Sequence, residues 1–270
     1  MKQHTHVIIT GGGRGLGLGM ALRYLKRGCN LSILNRVMTP ESTEQLDAAA
    51  QTGQAQWQFH AIEISDFEQV QTAVEKAVEQ FGAPELAINS AGVLINKAFA
   101  DMLPGDFQRV ININLVGSHN FAAAVLPYMQ SGSRLALVAS VAGLFGNYGY
   151  SAYGASKFGV VGLANTLRYE YEPLGIHISC ICPPEVETAM VLQERKEGNK
   201  VSLDMKALAG TLDTDSACDQ IVAGLDAGKW KIIPGVNGKL TAWAARYIPA
   251  IFDFAMIKLI KRSMRKRGLL

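Results

Sequence analysis

Cysteine and histidine are scarce, and what there is falls in no ligand pattern. The four cysteines, Cys29, Cys180, Cys182 and Cys218, show no C-x-x-C spacing, which argues against a zinc knuckle or a disulfide framework. Two of them lie in the apolar run 176–182, where reduced core thiols are expected. Five histidines, His4, His6, His60, His119 and His177, form neither H-x-x-x-H nor H-E-x-x-H, so no metal site is expected. Repeats and low-complexity segments are absent. A bilayer span needs about 20 mainly apolar residues, and the best stretch, 240–260, is interrupted by Arg246, Pro249 and Asp253. The amino end becomes a strand within a few residues, which leaves no room for a signal peptide. The expected home is the cytoplasm, a reducing compartment.

What is present is a full core: 49% of the residues are apolar and 18% charged, the balance of a globular protein with little disorder. Apolar strand-like runs alternate with helix-length patterns. Strands are expected at His6–Thr10, 30–34, 55–62, 86–89, 135–138, 176–182 and 230–233. The helices between them include 41–51, one from Asp66 to about 81, one long helix at about 106–130, the segment around Tyr153, and 214–227. That alternation implies right-handed crossovers and an α/β fold, a Rossmann-type doubly wound parallel sheet covered by helices on both faces. The chain divides into residues 1–238, the dinucleotide-binding part, and a tail, 239–270.

The first strand runs into Thr10-Gly-Gly-Gly-Arg-Gly-Leu-Gly17 and then a helical pattern through Leu18, Leu22 and Leu25. Strand, glycine-rich turn and helix make a phosphate cradle: glycines let the backbone approach a pyrophosphate, and the helix amino end supplies partial positive charge. The second strand ends in Asn35-Arg36, where an acid would be needed for the ribose hydroxyls of NAD. Arg36, with Arg14 in the turn, is suited instead to a 2′-phosphate through charge-assisted bonds. The expected cofactor is NADP(H).

A second constellation surrounds Tyr153. Tyr153 and Lys157 are one helical turn apart and share a face, and Ser140 follows the apolar run 135–138. Reducing a ketone with hydride creates an alkoxide that needs a proton. A phenol donates well if a neighbouring ammonium lowers its pKa toward working pH, and a serine hydroxyl orients the carbonyl. On these residues alone, an ordinary surface Tyr–Lys pair beside a loop serine is an equal alternative.

Taken together, the Thr10–Gly17 turn, Asn89-Ser-Ala-Gly92, Asn114 in Asn112-Ile-Asn-Leu-Val-Gly117, Ser140, Tyr153 and Lys157 resemble the short-chain dehydrogenase/reductase family in its classical branch, over about 5–235. The resemblance implies a seven-stranded sheet and an active set of Asn114, Ser140, Tyr153 and Lys157. Tyr153 would be the acid/base, Lys157 would bind the nicotinamide ribose and depress the tyrosine, and Asn114 would hold a relay water. Cofactor contacts would come from Gly11, Gly13, Arg14, Gly15, Leu16, Gly17, Arg36, Glu63, Ile64, Asn89, Ala91, Gly92, Tyr153, Lys157, Pro183, Val186 and Thr188, with Asn89 against the ribose. The family commonly pairs the helices carrying Asn114 and Tyr153, so a homodimer or tetramer is expected. Departures are Pro183-Pro184 where Pro-Gly is usual, Glu63 at the adenine position, and Ser90 where asparagine is frequent. The double proline and the tail also resemble 3-ketodihydrosphingosine reductases.

Charge is divided unequally. Residues 229–270 hold ten basic residues and one acid, Asp253, whereas the rest holds sixteen and twenty-two. After Pro249 a helix would place Phe252, Met256, Leu259, Ile260 and Met264 on one side and Lys258, Lys261, Arg262, Arg265 and Lys266 on the other. That is the pattern of a helix in a membrane interface beside anionic head groups; packing on the core or on a second subunit is the alternative. No groove-reading or aromatic motif supports nucleic acid as a partner. Residues 185–210 read as a substrate lid. Ala189, Met190, Val191 and Leu192, with Leu144, Phe145, Tyr148 and Tyr150, read as an apolar pocket wall. The expected activity is NADPH-dependent reduction of an apolar, lipid-like ketone, reversible as an alcohol dehydrogenase, on the cytoplasmic face of a membrane. The alternatives are a general carbonyl or 3-oxoacyl reductase without membrane attachment, and a non-catalytic NADP-binding scaffold or sensor.

Overall fold

The computed structural model describes residues 5–270, the side chains of Leu208 and Ala209 excepted; His4 lies outside the described residues. Strand β1 (His6–Thr10) is buried throughout, and its side chains divide by alternation: Val7 and Ile9 join one core cluster, Ile8 the other. A strand needs that period-two apolarity on both sides only when both sheet faces are covered. The other strands are β2 (Asn30–Asn35), β3 (Trp57–Ala61), β4 (Leu86–Asn89), β5 (Arg134–Val138), β6 (His177–Ile181) and β7 (Lys231–Ile232). All pair in parallel, in the order β3-β2-β1-β4-β5-β6-β7. The order reverses between β1 and β4, and the crevice beyond the carboxyl ends there is where doubly wound sheets take ligands.

Helices α1 (Gly15–Lys26), α2 (Pro40–Gly53) and α9 (Thr214–Asp226) cover one face, sealing Met20, Tyr24, Leu46 and Ile221 against β1 and β2. Helices α3 (Phe67–Phe81), α5 (Gly117–Val125) and α6 (Ser151–Tyr171) cover the other, with Val74, Phe121 and Val160 at its centre. A fully buried side chain of this size contributes about 1.5–3 kcal/mol. Local signals mark the starts. Thr39 and Ser42 form a reciprocal capping box at α2, and Asp66 and Asp213 accept from backbone N–H groups at α3 and α9.

The long helix expected at 106–130 is broken. Helix α4 (Pro104–Ile111) begins at a proline in the first turn, a π-helical turn occupies Asn112–Val116, and α5 ends at Val125 in a 3₁₀ turn. The extra residue in the π turn accompanies Asn114, whose side chain is turned onto the backbone of Val93.

The segment read as a lid, 185–210, contains two helices, α7 (Ala189–Glu197) and α8 (Lys200–Ala209). The tail forms α10 (Val236–Tyr247) and α11 (Pro249–Lys266). Here the structure corrects the expected facing of α11. Phe252 packs edge-on against Phe145, 5.2 Å between ring centroids. Leu259, Ile260 and Met264 are half-buried and Ser263 is buried. Ser263 Oγ and Arg267 clasp Asp204 of α8 at 2.6 to 2.9 Å, and hold that carboxyl near 2. The apolar side assigned to lipid therefore packs on the protein. A different set, Ile251, Phe254 and Ile257 of α11 with Leu240, Trp243 and Tyr247 of α10, remains exposed. No helix among the described residues is long and apolar enough to cross a membrane.

Candidate active site

The crevice is one continuous cavity of about 1030 Å³, running from the glycine turn past Tyr153 to α8 and α11. At one end the backbone needs glycine. Gly11 and Gly15 have φ of 67° and 56°, and a Cβ on Gly17 would lie 2.2 Å from the carbonyl oxygen of Gly11. The turn therefore folds onto itself with no room for side chains, leaving the amino end of α1 open to the cavity. Gly13, Arg14, Leu16, Arg36, Glu63, Ile64, Ala91 and Gly92 line the same region. Arg14 and Arg36 are exposed and carry no ion pair among the described residues. Pro183, Val186 and Thr188 close the opposite wall.

Beyond β5, Ser140 caps a 3₁₀ turn, its Oγ accepting from Ala142 N–H at 3.1 Å. The turn lies so close to α6 that a Cβ on Gly143 would be 2.5 Å from the Lys157 carbonyl oxygen. This contact brings Ser140, Tyr153 and Lys157 to one floor of the cavity. Lys157 is buried, and its Nζ donates to the Val138 carbonyl at 2.8 Å and stands 5.6 Å from the centroid of the Tyr153 ring.

Electrostatics depart from the expected pattern. Burial pushes Tyr153 up to about 12, Ser140 pulls it down, and Glu194 pushes it up. Burial lowers Lys157 to about 8, with the Cys180 and Cys182 thiols opposing. The protein alone holds the phenol protonated, because desolvation of the phenolate outweighs any help from the ammonium.

Asn89, expected against the ribose, and Asn114, expected to hold a relay water, stand behind the wall. Asn89 is buried, accepting from Thr10 Oγ1 and donating to Ser118 Oγ at 2.7 Å. It does not line the cavity, since its amide is consumed by that network. Asn114 is buried as well. Its Oδ1 accepts from Val93 N–H at 2.8 Å, and its Nδ2 donates to the Val93 carbonyl and to Ser156 Oγ at 3.0 Å. Ser156 in turn donates to the Tyr153 carbonyl at 2.7 Å, so Asn114 braces the wall and α6. Ala189, Met190 and Val191 of the lid, with Phe145, Tyr148 and Tyr150 from the loop before α6, line the cavity. Leu192 is exposed instead and Leu144 packs into the core. Sequence reading missed Glu194, Lys206 and Met256 as lining residues; nothing local in a helical Glu, Lys or Met marks it for a cavity. No cluster of metal ligands occurs among the described residues.

A glycine cradle at a helix amino end, at the switch point of a parallel sheet and joined to a Ser–Tyr–Lys floor, defines an oxidoreductase built to hold a nicotinamide dinucleotide. The chain belongs to the short-chain dehydrogenase family, whose model, described as short chain dehydrogenase, matches residues 5–199. It is 35% identical to 3-dehydrosphinganine reductase TSC10B of Arabidopsis thaliana over 232 residues, 84% of this chain and 69% of that protein. Levodione reductase superposes with a TM-score of 0.79 at 28% identity, over 92% of this chain and all of that one. A family member from Burkholderia phymatum solved in complex with NAD reaches 0.80 at 21% identity, over 92% and 95% of the two chains, and shares the fold.

The depressed Lys157 gives a pH test. Between about 8 and the usual 10.5 the unfolded chain keeps a proton that the folded one has shed, so stability due to this group rises with pH. In cofactor-free protein, wild type should gain on Lys157→Met across that window. Denaturant midpoints of both proteins check it; a constant difference between them would refute it.

Proposed function

We propose that this protein reduces a ketone to a secondary alcohol with NADPH, that the ketone sits on a long apolar chain of the 3-ketosphinganine kind, and that the enzyme works at a membrane surface. The observation that carries the reading is the single cavity. The glycine cradle and two unpaired arginines stand at one end, Ser140 and Tyr153 at the floor, and Met190, Val191, Met205 and Met256 at the far end. The similarity to a plant 3-dehydrosphinganine reductase supports the substrate class.

The residues fit the cofactor. Gly11, Gly13, Gly15 and Gly17 would receive the pyrophosphate on backbone N–H groups, Arg14 and Arg36 the 2′-phosphate, and Lys157 the nicotinamide ribose. The cofactor supplies hydride to the carbonyl carbon. Ser140 orients the carbonyl oxygen, and Tyr153 gives its proton to that oxygen as charge develops. A phenol near 12 remains a competent donor because an alkoxide is a far stronger base. The raised value disfavours the reverse direction, where Tyr153 must start ionised. Lys157, charged below about pH 8, stabilises the phenolate left behind.

Membrane docking draws on the exposed apolar residues of α10 and α11 beside Lys258, Lys261, Arg262 and Arg265, which suit an anionic surface. The helices carrying Asn114 and Tyr153 leave Phe107, Val116 and Phe158 exposed, area suited to a second copy of the chain.

Three outcomes are expected. Tyr153→Phe should lower turnover on a chain-length series of ketones by about 10²–10⁴-fold while NADPH affinity stays near wild type; turnover within a few-fold would remove Tyr153 as donor. Wild type should bind NADPH more tightly than NADH, and Arg36→Ala should erase most of the preference; an equal or tighter NADH dissociation constant reverses the cofactor assignment. Flotation with anionic liposomes at low salt should be lost in Trp243→Ser/Phe254→Ser/Ile257→Ser and weakened by salt. Equal flotation of the triple variant would dismiss the docking face.

A further inference from the structure

The lid carries a buried carboxylate that the reaction above does not use. Glu194 of α7 is 6% exposed, and three separate elements converge on it. Its Oε1 accepts from Asn96 Nδ2 at 2.7 Å and from Tyr150 Oη at 2.5 Å; its Oε2 accepts from Lys206 Nζ of α8, also at 2.5 Å. Lys206 is shared with Glu185, 2.8 Å away, which Arg195 pairs from the other side at 2.7 Å. An ionised group buried to this degree is costly unless fully partnered, and this one is partnered by the lid, by the loop after β4 and by the turn that opens α6. The Tyr150 ring then meets the Tyr153 ring edge-on, with centroids 5.3 Å apart.

We propose that Glu194 is a positioning residue for Tyr153: acting through Tyr150 and Lys206, it fastens α7 and α8 over the catalytic turn and controls how readily Tyr153 releases its proton. The chain of contact is continuous from Lys206 through Glu194 and Tyr150 to Tyr153. Its negative charge raises the cost of ionising Tyr153, in the direction already noted, and Lys206 offsets part of that charge. Other charged or titratable groups around Tyr153 are Lys157 on its own helix, Glu185 and Arg195 beyond Lys206, and Cys180 of β6 and Cys182 just after it, behind Lys157. Among the acids, Glu194 is the one whose charge acts on Tyr153, and Tyr150 links the two by a hydrogen bond and a ring contact. Its catalytic consequence rests on Tyr153 being the proton donor proposed above.

The test needs no substrate. Ultraviolet titration of cofactor-free protein, taken as the difference between each protein and its Tyr153→Phe counterpart, follows ionisation of Tyr153 alone. In Glu194→Gln, which keeps shape and loses charge, the onset should come about one pH unit earlier. In Lys206→Met, which leaves the carboxylate unscreened, the onset should come no earlier than in wild type. A merely structural Glu194 would loosen the site in both variants, admit water and bring both onsets down together. That result, or an unchanged onset in Glu194→Gln, overturns the proposal, and should that variant not fold, an earlier onset in Lys206→Met does so alone. Either failure leaves the ketone-reductase reading standing, and a protein that reduces no ketone leaves the titration readable.

Discussion

The site depends on the contact between the 3₁₀ turn after β5 and the first turns of α6. Gly143 stands where any side chain would strike the Lys157 carbonyl, and Lys157 reaches back to bond the Val138 carbonyl. Strand end and helix are thereby locked without an intervening layer. A buried ammonium is expensive unless it is bonded; here the carbonyl at the end of β5 bonds it while the charge faces the cavity. Ser140 and Tyr153 are carried to the same floor by the same contact, so in the proposed reaction one piece of packing would set both orientation of the carbonyl and delivery of the proton.

That packing also separates the two titrating groups in opposite directions. Water exclusion moves Tyr153 up to about 12 and Lys157 down to about 8. Desolvation disfavours the charged form of each, which is why the pair does not settle into a phenolate–ammonium couple by itself. In the reaction proposed above, reduction would begin with a protonated tyrosine and oxidation with an ionised one, so the cofactor-free site would favour reduction.

Much of this was legible because it is local. The glycine turn is read from spacing, since strand, turn and helix are consecutive, and the unbroken apolar run within 6–10 fits a strand covered on both faces. Tyr153, Lys157 and Ser140 were found through their order and spacing. Where reading stopped short, the missing information was non-local. Asn89 was expected against the ribose and Asn114 beside a relay water; their side-chain amides bond Thr10, Ser118 and the Val93 backbone, partners that no spacing in the sequence identifies. The π turn in the helix expected at 106–130 follows from that same tertiary demand on Asn114. Glu194 and Lys206 are ordinary helical residues by sequence, on separate helices, and only the fold brings them together where Tyr150 arrives from another segment.

The tail shows the same limit in a different form. Helix α11 is apolar on two sides, and periodicity alone chose the wrong one for lipid. The side holding Phe252 and Met256 closes the cavity, and the Asp204 clasp settles its rotation. What stays outward, Ile251, Phe254 and Ile257 with Trp243 and Tyr247 of α10, is too apolar to be indifferent to water: burying each would return about 1.5–3 kcal/mol, and soluble monomers rarely leave such residues clustered. A helix whose inner face roofs a lipid-sized cavity and whose outer face is apolar among lysines and arginines places the two surfaces back to back. On the function proposed above, a long-chain ketone leaving a bilayer would pass around one helix to reach Tyr153, and the enzyme would not have to carry the chain through water.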